Sequence, residues 1–352
     1  MSVLNTVNAE ILFEEDFDSQ TDWFPTGVRC GITQGTDICP DSDVPLNWTY
    51  YRNENDDWRP DNGYPENQYG QRITSDIKRG VSGKSWVKVS ESNQPPEQAN
   101  YYSDSILMKK LDTEYNELYV SFWIKMQPNW QWQGGGRQLK LFRVGNLDDI
   151  PSGDVFDIGS KGNTAPLYIF DFYNHETWGW QNKHAPRCDP QLEEYLDCGT
   201  AQYRSPWTIG QLFDCQPGQV CTGFTPSRDR ITRPTFQESV GDGQWHNLKF
   251  RVKLNSAPGV EDGLYEFWLD GNLEISVTGI PYREINSPAG VGWNFISIGG
   301  NWNNWFAPVE DRKELWYAID DIIVSTTDID KKSPAKSPGF SINICCTYNY
   351  II

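Results

Sequence analysis

The stretch ELYVSFWIKMQPNWQWQGGGRQLKLFRV, residues 117–144, decides how the chain is read. Leu118, Val120, Phe122, Ile124 and Met126 alternate with Tyr119, Ser121, Trp123 and Lys125. A period of two puts successive side chains on opposite faces of a β-strand, so one face is apolar and buried and the other meets solvent. After an aromatic and glycine-rich loop, Leu139 and Leu141 alternate in the same way with Gln138, Lys140 and Phe142. With the leucines inward, Gln138 and Lys140 are expected to share an open face with Tyr119 and Trp123. Such a face suits a sugar chain, because rings stack on pyranose faces while amides and cations bond hydroxyls and carboxylates. An outer sheet with ordinary exposed side chains is the competing explanation.

The 352 residues carry a formal net charge of −18, with a pI of about 4.6. Phosphate binding needs a basic surface, so the balance argues against a nucleic-acid partner. It leaves room for a local basic cleft. With 16 Trp, 17 Tyr and 16 Phe beside 30 Gly and 22 Pro, and no leucine- or alanine-rich helical pattern, the composition is that of a β protein with many turns. Cys30/Cys39, Cys188/Cys198 and Cys215/Cys221 are close pairs in loop-like sequence, and Cys345 and Cys346 are adjacent. The three pairs suggest local disulfides and an oxidising, extracellular setting. None has CxxC zinc spacing. Asn47-Trp48-Thr49 is a glycosylation sequon.

No stretch is long and apolar enough to span a membrane. Residues 1–9 lack the charged and apolar parts of a full signal peptide, yet Val7-Asn8-Ala9 before Glu10 resembles a cleavage site. They are read as a tail or signal remnant, with a viral or fusion context as the alternative. Residues 10–330 are expected to form one domain. Strands are expected at residues 10–17, 85–89, 105–108, 167–176, 245–254, 263–277, 293–299 and 316–325, with an Asp270-Gly271 hairpin turn. Within this domain, residues 177–241 read as a long cysteine-bearing loop insertion. Lys331 to Gly339 is a linker by composition, and a stub follows to residue 352.

The second half carries a resemblance. Gln244-Trp245-His246 opens a strand that ends Lys253-Leu254-Asn255, and a Gly/Asp loop leads to Tyr265-Glu266-Phe267-Trp268-Leu269-Asp270-Gly271. Ile298-Gly299-Gly300 and Ile319-Asp320-Asp321-Ile322 follow. This order resembles the concanavalin A-like lectin/glucanase jelly roll. Within that superfamily it is similar to secreted polysaccharide lyases that cleave uronate polymers such as glucuronan and alginate. Gly134-Gly135-Gly136-Arg137 with Lys140 is similar to the glycine-plus-cation loop of those lyases. The resemblance covers roughly residues 85–145 and 240–328. It implies an all-β sandwich of two antiparallel sheets, here with long disulfide-stapled loops, and a polysaccharide as partner. Two motifs are missing. The arginine-and-glutamate strand motif of alginate lyases is replaced by Ser103-Asp104-Ser105-Ile106, and the ExDxxE strand of β-glucanases is absent.

A uronate lyase must neutralise a carboxylate, take the proton from the neighbouring ring carbon, and protonate the leaving oxygen. Lys140 and Gln138, with Arg137 close by, are the candidates for neutralisation. Tyr173 and His175 are the candidates for proton transfer, with Asp171 orienting His175. A structural His175 and a stacking or half-buried Tyr173 are the bland alternatives. Tyr119, Trp123, Trp130, Trp132, Asp171, Trp302 and Trp305 are candidate sugar contacts, or rings that simply pack loops. His246 reads as structural packing. In the jelly roll the first and last strands are neighbours, and the resemblance implies a structural Ca²⁺ held there by Glu15, Asp16, Asp320 and Asp321. A solvated acidic edge is the alternative. No other cofactor is expected. A lyase acting on an acidic polysaccharide is the leading function. Its competitors are a non-catalytic carbohydrate-binding module or adhesin, and a structural protein such as a viral fibre.

Overall fold

The computed structural model describes residues 10–25, 29–31, 44–54, 70–90, 102–128, 130, 137–146, 166–175, 179–186, 220–221, 240–280, 282–283, 287, 290–303 and 315–328. Their strands are Ile11–Glu15 (β1), Arg29–Gly31 (β2), Tyr50–Glu54 (β3), Gln71–Thr74 (β4), Ser85–Ser90 (β5), Tyr102–Tyr115 (β6), Glu117–Met126 (β7) and Arg137–Gly145 (β8). Leu167–His175 (β9), Gly179–Pro186 (β10), Val220–Cys221 (β11), Trp245–Lys253 (β12), Gly263–Leu269 (β13), Asn272–Ile280 (β14), Trp293–Asn303 (β15) and Leu315–Ser325 (β16) follow.

Two sheets form a jelly-roll sandwich. One has nine strands in the order β11-β14-β13-β12-β7-β16-β5-β4, with β1 pairing residues 322–325 of β16 beyond the part that β5 takes. The other has seven, β10-β9-β8-β15-β6-β3-β2. Pairing is antiparallel except for the short β11–β14 ladder. The first and last strands are indeed neighbours, Glu15 standing opposite Ile322. Asp270 and Gly271 both have positive φ, 49° and 79°, which is the backbone of a type I′ hairpin turn between β13 and β14.

The inward residues of β7 are fully buried and those between them are half-buried, as their alternation requires. The rings of Phe122, Phe142, Phe170, Phe250 and Phe267 form the centre, with Phe142 and Phe250 centroids 4.8 Å apart. Each such ring removes its whole surface from water, worth about 1.5–3 kcal/mol.

This core corrects the expected shared face. β7 and β8 are consecutive in the chain but lie in opposite sheets. Phe122 and Phe142 meet across the interior, centroids 5.4 Å apart, so the polar faces of the two strands point away from each other. Tyr119 and Trp123 therefore do not share a surface with Gln138 and Lys140. Phe142 is itself a correction. A register shift between Lys140 and Phe142 turns its ring into the core, where strict alternation would leave it outside. The cysteine-rich region holds β10 and β11, so it is not wholly loop.

Candidate functional site

The outer surface of the seven-stranded sheet is the candidate site. Tyr51, Leu107, Tyr168, Ile296 and Ile298 belong to the inter-sheet core. Their strand neighbours Tyr50, Ile106, Met108, Ile169 and Phe295, with Leu167, form a second buried apolar cluster on the other side. Farther along the same strands the register turns polar. Lys140 stands opposite Asp171, and Gln138 opposite Tyr173. On the next strand Lys183 faces Asp171, Gln181 faces Tyr173, and Gly179 faces His175. Asn303 stands opposite Gln138 on the other flank. Residues directly opposite in an antiparallel pair lie about 4.5–5.5 Å apart at Cβ. The register therefore brings positions 138 and 140 beside positions 171 and 173, with 175 next along the strand. Arg137 does not join this row. It opens β8 opposite Asn174, on the alternate face. The side chains at 137, 138, 171, 173 and 175 lie outside the described residues.

Sequence reasoning missed Arg143. Counted by alternation from Leu139 and Leu141 it would point inward. The register shift after Lys140 places it opposite Ile169 and Ser297, on the outer surface. It is 8% exposed, and its Nη1 donates to the Gly299 carbonyl at 3.3 Å. Gly300, at φ +144°, makes room for it. A Cβ there would come within 2.7 Å of the Lys140 Cβ and 2.8 Å of the Arg143 Nη2. Two cationic side chains are thus held next to one glycine notch. The Gly-Gly pair in Ile298-Gly299-Gly300, with a cation two residues past a strand bulge, is the signal that could have found it.

The candidate sugar contacts scatter. Trp130 is 4% exposed and packs in the inter-sheet core, so it is no contact residue. Trp123 and Tyr119 lie on the outer side of the nine-stranded sheet. The Arg79 guanidinium sits 4.6 Å from the Trp123 ring centre, and Arg251 sits 5.4 Å from that of Tyr119. Each ring therefore already carries a cation within interaction range. Burial pushes the Tyr119 hydroxyl up to about 12, and Glu117 and Asp328 add to this against the opposing Arg251 charge, so it stays protonated at neutral pH. Trp302 stands opposite the buried Leu139, and its side chain is not among those described. Trp132 and Trp305 lie outside the described residues, as do Cys39, Cys188, Cys198 and Cys215. Cys30 and Cys221 are placed only as strand positions in β2 and β11.

The acidic set at the chain's two ends is committed elsewhere. The Glu15 carboxylate accepts from the Phe17 amide at 2.7 Å, Gln20 at 2.7 Å and the Trp48 indole at 3.2 Å. Burial nevertheless raises its pKa above the ordinary value. Asp321 pairs with Arg79. Asp16 is exposed and accepts from the Asp18 amide at 3.1 Å. Asp320 is 5% exposed, and burial pushes its carboxyl up to about 7, with Asp18 and Asp16 adding and Arg79 opposing. Of the expected calcium set, Glu15 and Asp321 thus each have a protein partner, while among the described residues Asp16 and Asp320 accept only from nearby backbone amides. Among the described residues no group of three or more His, Cys, Asp or Glu is disposed to hold a metal ion. His246 bridges Asp270 at 2.8 Å and Asp242 at 3.1 Å, tying two turns together in the structural role expected of it.

No protein-family profile matches the chain, and no curated sequence matches it. Among solved structures, the chain's fold resembles an alginate lyase from Aplysia kurodai, with 11% identity, 73% of this chain and 87% of that one covered, and a TM-score of 0.41. It also resembles alginate lyase vAL-1 from Chlorella virus, with 12% identity, 72% and 90% covered, and a TM-score of 0.40. The Emp47p carbohydrate recognition domain aligns at 10% identity over 76% and 93%, with a TM-score of 0.35.

Proposed function

We propose that the protein is a secreted, carbohydrate-active protein that binds an acidic polysaccharide on the outer surface of the seven-stranded sheet and cleaves it by β-elimination. The observation that supports this most is the strand register: Lys140 opposite Asp171 and Gln138 opposite Tyr173, with Arg143 beside Lys140 at the glycine notch. On a chain of net charge −18, two cations gathered at one notch favour an anionic ligand.

In this reading Lys140, Gln138 and Arg143 neutralise a uronate carboxylate. Neutralisation acidifies the hydrogen on the carbon that bears the carboxylate. Tyr173 or His175 removes that proton, while Asp171, four strand positions and about 14 Å from His175, stands opposite Lys140 and does not orient the imidazole as expected. The electron pair left behind forms the ring carbon–carbon double bond. The glycosidic carbon–oxygen bond breaks, and the second of the two groups gives a proton to the departing oxygen. No water is consumed, and one product carries an unsaturated uronate.

The test is a panel of alginate, glucuronan, pectate and glycosaminoglycans, followed by the ultraviolet absorbance of the unsaturated product. Rising absorbance on at least one uronate polymer is expected. Silence across the panel, with retention on an immobilised polyuronate, replaces the lyase reading by that of a binding module. Silence in both assays removes the acidic polysaccharide altogether.

A further inference from the structure

We infer that Asn47 is an N-linked glycan attachment site, a modification that rests on the secreted part of the proposed function and not on its lyase part. Asn47-Trp48-Thr49 is the one N-x-S/T triplet in the 352 residues. A triplet is usable only if the carboxamide is presented to solvent with no proline between the two key residues, and both conditions hold. Asn47 is exposed in a tight turn, where the Trp48 amide donates to the Pro45 carbonyl at 3.0 Å. Its φ of 68° places it at the left-handed position of that turn, which asparagine tolerates better than most residues.

The neighbours hold the turn from behind and leave the carboxamide outside. Lys109 Nζ donates to the Asn47 carbonyl at 2.7 Å, and the Trp48 ring is buried against Phe13 and Phe17. The Thr49 hydroxyl accepts from the Lys110 amide at 3.0 Å. Leu46 beside it is 64% exposed, an apolar side chain that a sugar at Asn47 would shield. Three close cysteine pairs are consistent with passage through the oxidising compartment in which such glycans are added.

The location matters for the rest of the molecule. Thr49 meets Lys110 on β6, whereas the Gln138 row reaches β6 at Tyr102 through Asn303. Eight residues of extended strand separate the two levels, about 27 Å. A glycan at Asn47 therefore sits far along the sheet from the Gln138 row, and three strands across from Arg143, whose row meets β6 at Met108 through Ser297.

The experiment is secretion of the full chain, behind a secretory signal, from a eukaryotic host that glycosylates. Intact mass and peptide mapping are read before and after peptide:N-glycosidase treatment. The expected result is an added glycan mass that the enzyme removes, converting Asn47 to Asp. It should be absent from Asn47→Gln and Thr49→Ala and kept in Thr49→Ser. Any polysaccharide activity of Asn47→Gln should stay within twofold of the parent. Secreted wild-type protein with an unmodified Asn47 peptide overturns the inference, and so does a glycan mapped elsewhere. Because the wild-type peptide decides, a variant that fails to fold leaves the test intact.

Discussion

On the outer side of the nine-stranded sheet, cations are seated between carboxylates and rings. Arg251 bonds Glu117 at 2.7 Å and Glu266 at 2.9 Å beside Tyr119. Lys249 bonds Asp328 at 2.6 Å and lies 4.4 Å from the Trp268 ring centre. Arg79 joins Asp321 and Trp123. On the outer side of the seven-stranded sheet, Arg143 bonds a backbone carbonyl and shares a glycine notch with Lys140, next to a buried apolar cluster. Both surfaces mix rings and charges, so composition alone does not tell them apart. What differs is the seating: on the first, cations pair with carboxylates and rings, and on the second, Lys140 and Arg143 both pack against Gly300. Linked charge pairs add to stability, whereas the second surface owes the close approach of Lys140 and Arg143 to the missing side chain of Gly300.

The largest expected effect separates the two surfaces by activity. Lys140→Ala and Tyr173→Phe should each lower the rate of unsaturated-product formation by about 10²–10⁴-fold with the melting temperature kept. Arg251→Ala should leave that rate within twofold. A reversed pattern would move the site to the nine-stranded sheet.

Next comes Asp320. Its carboxyl, pushed up to about 7 in the fold from an ordinary 3.8, holds a proton that the unfolded chain has already lost. Stability should therefore fall as pH rises from about 4 through 7 and level off above, by on the order of 2–4 kcal/mol. Asp320→Asn should flatten this slope and be the more stable protein at pH 8, read from urea midpoints at pH 5 and pH 8.

A smaller loss is expected from the linked pairs themselves. Arg251→Ala should cost about 1–2 kcal/mol in denaturant unfolding, because the pairs are linked yet partly exposed. The effect should shrink in high salt.

The smallest effect concerns His246. Burial lowers its pKa, but the hydrogen bonds to Asp270 and Asp242 outweigh burial, and the net shift is upward. Its stabilising contribution is then complete below the ordinary 6.5 and is lost as pH rises through the folded value. His246→Gln should remove about 0.5 kcal/mol at pH 5.5 and less at pH 8.5.

Much of the architecture is legible in the residue pattern. Alternation along 117–126 gives the strand and its buried face, and Asp270-Gly271 gives the hairpin turn. The site is less legible, for a reason visible at two positions. Phe142 and Arg143 each lie on the face that counting by twos denies them, since one extra residue in β8 reverses the phase. Trp130 lies in a stretch full of aromatics that offers sugar contact and loop packing alike, and burial decides for packing.

The sequence by itself determined the β character, the inward face of the central strand and the turn that folds β13 onto β14, because these depend on residues a few positions apart. Only the tertiary structure decided which sheet each strand joins. β7 finds its partners in β12 and β16, more than a hundred residues later, while its neighbour in sequence crosses to the other layer. Side-chain period reports a face and carries no information about the partner. That choice comes from burying two apolar faces against each other, and it sets which cations end up beside which rings.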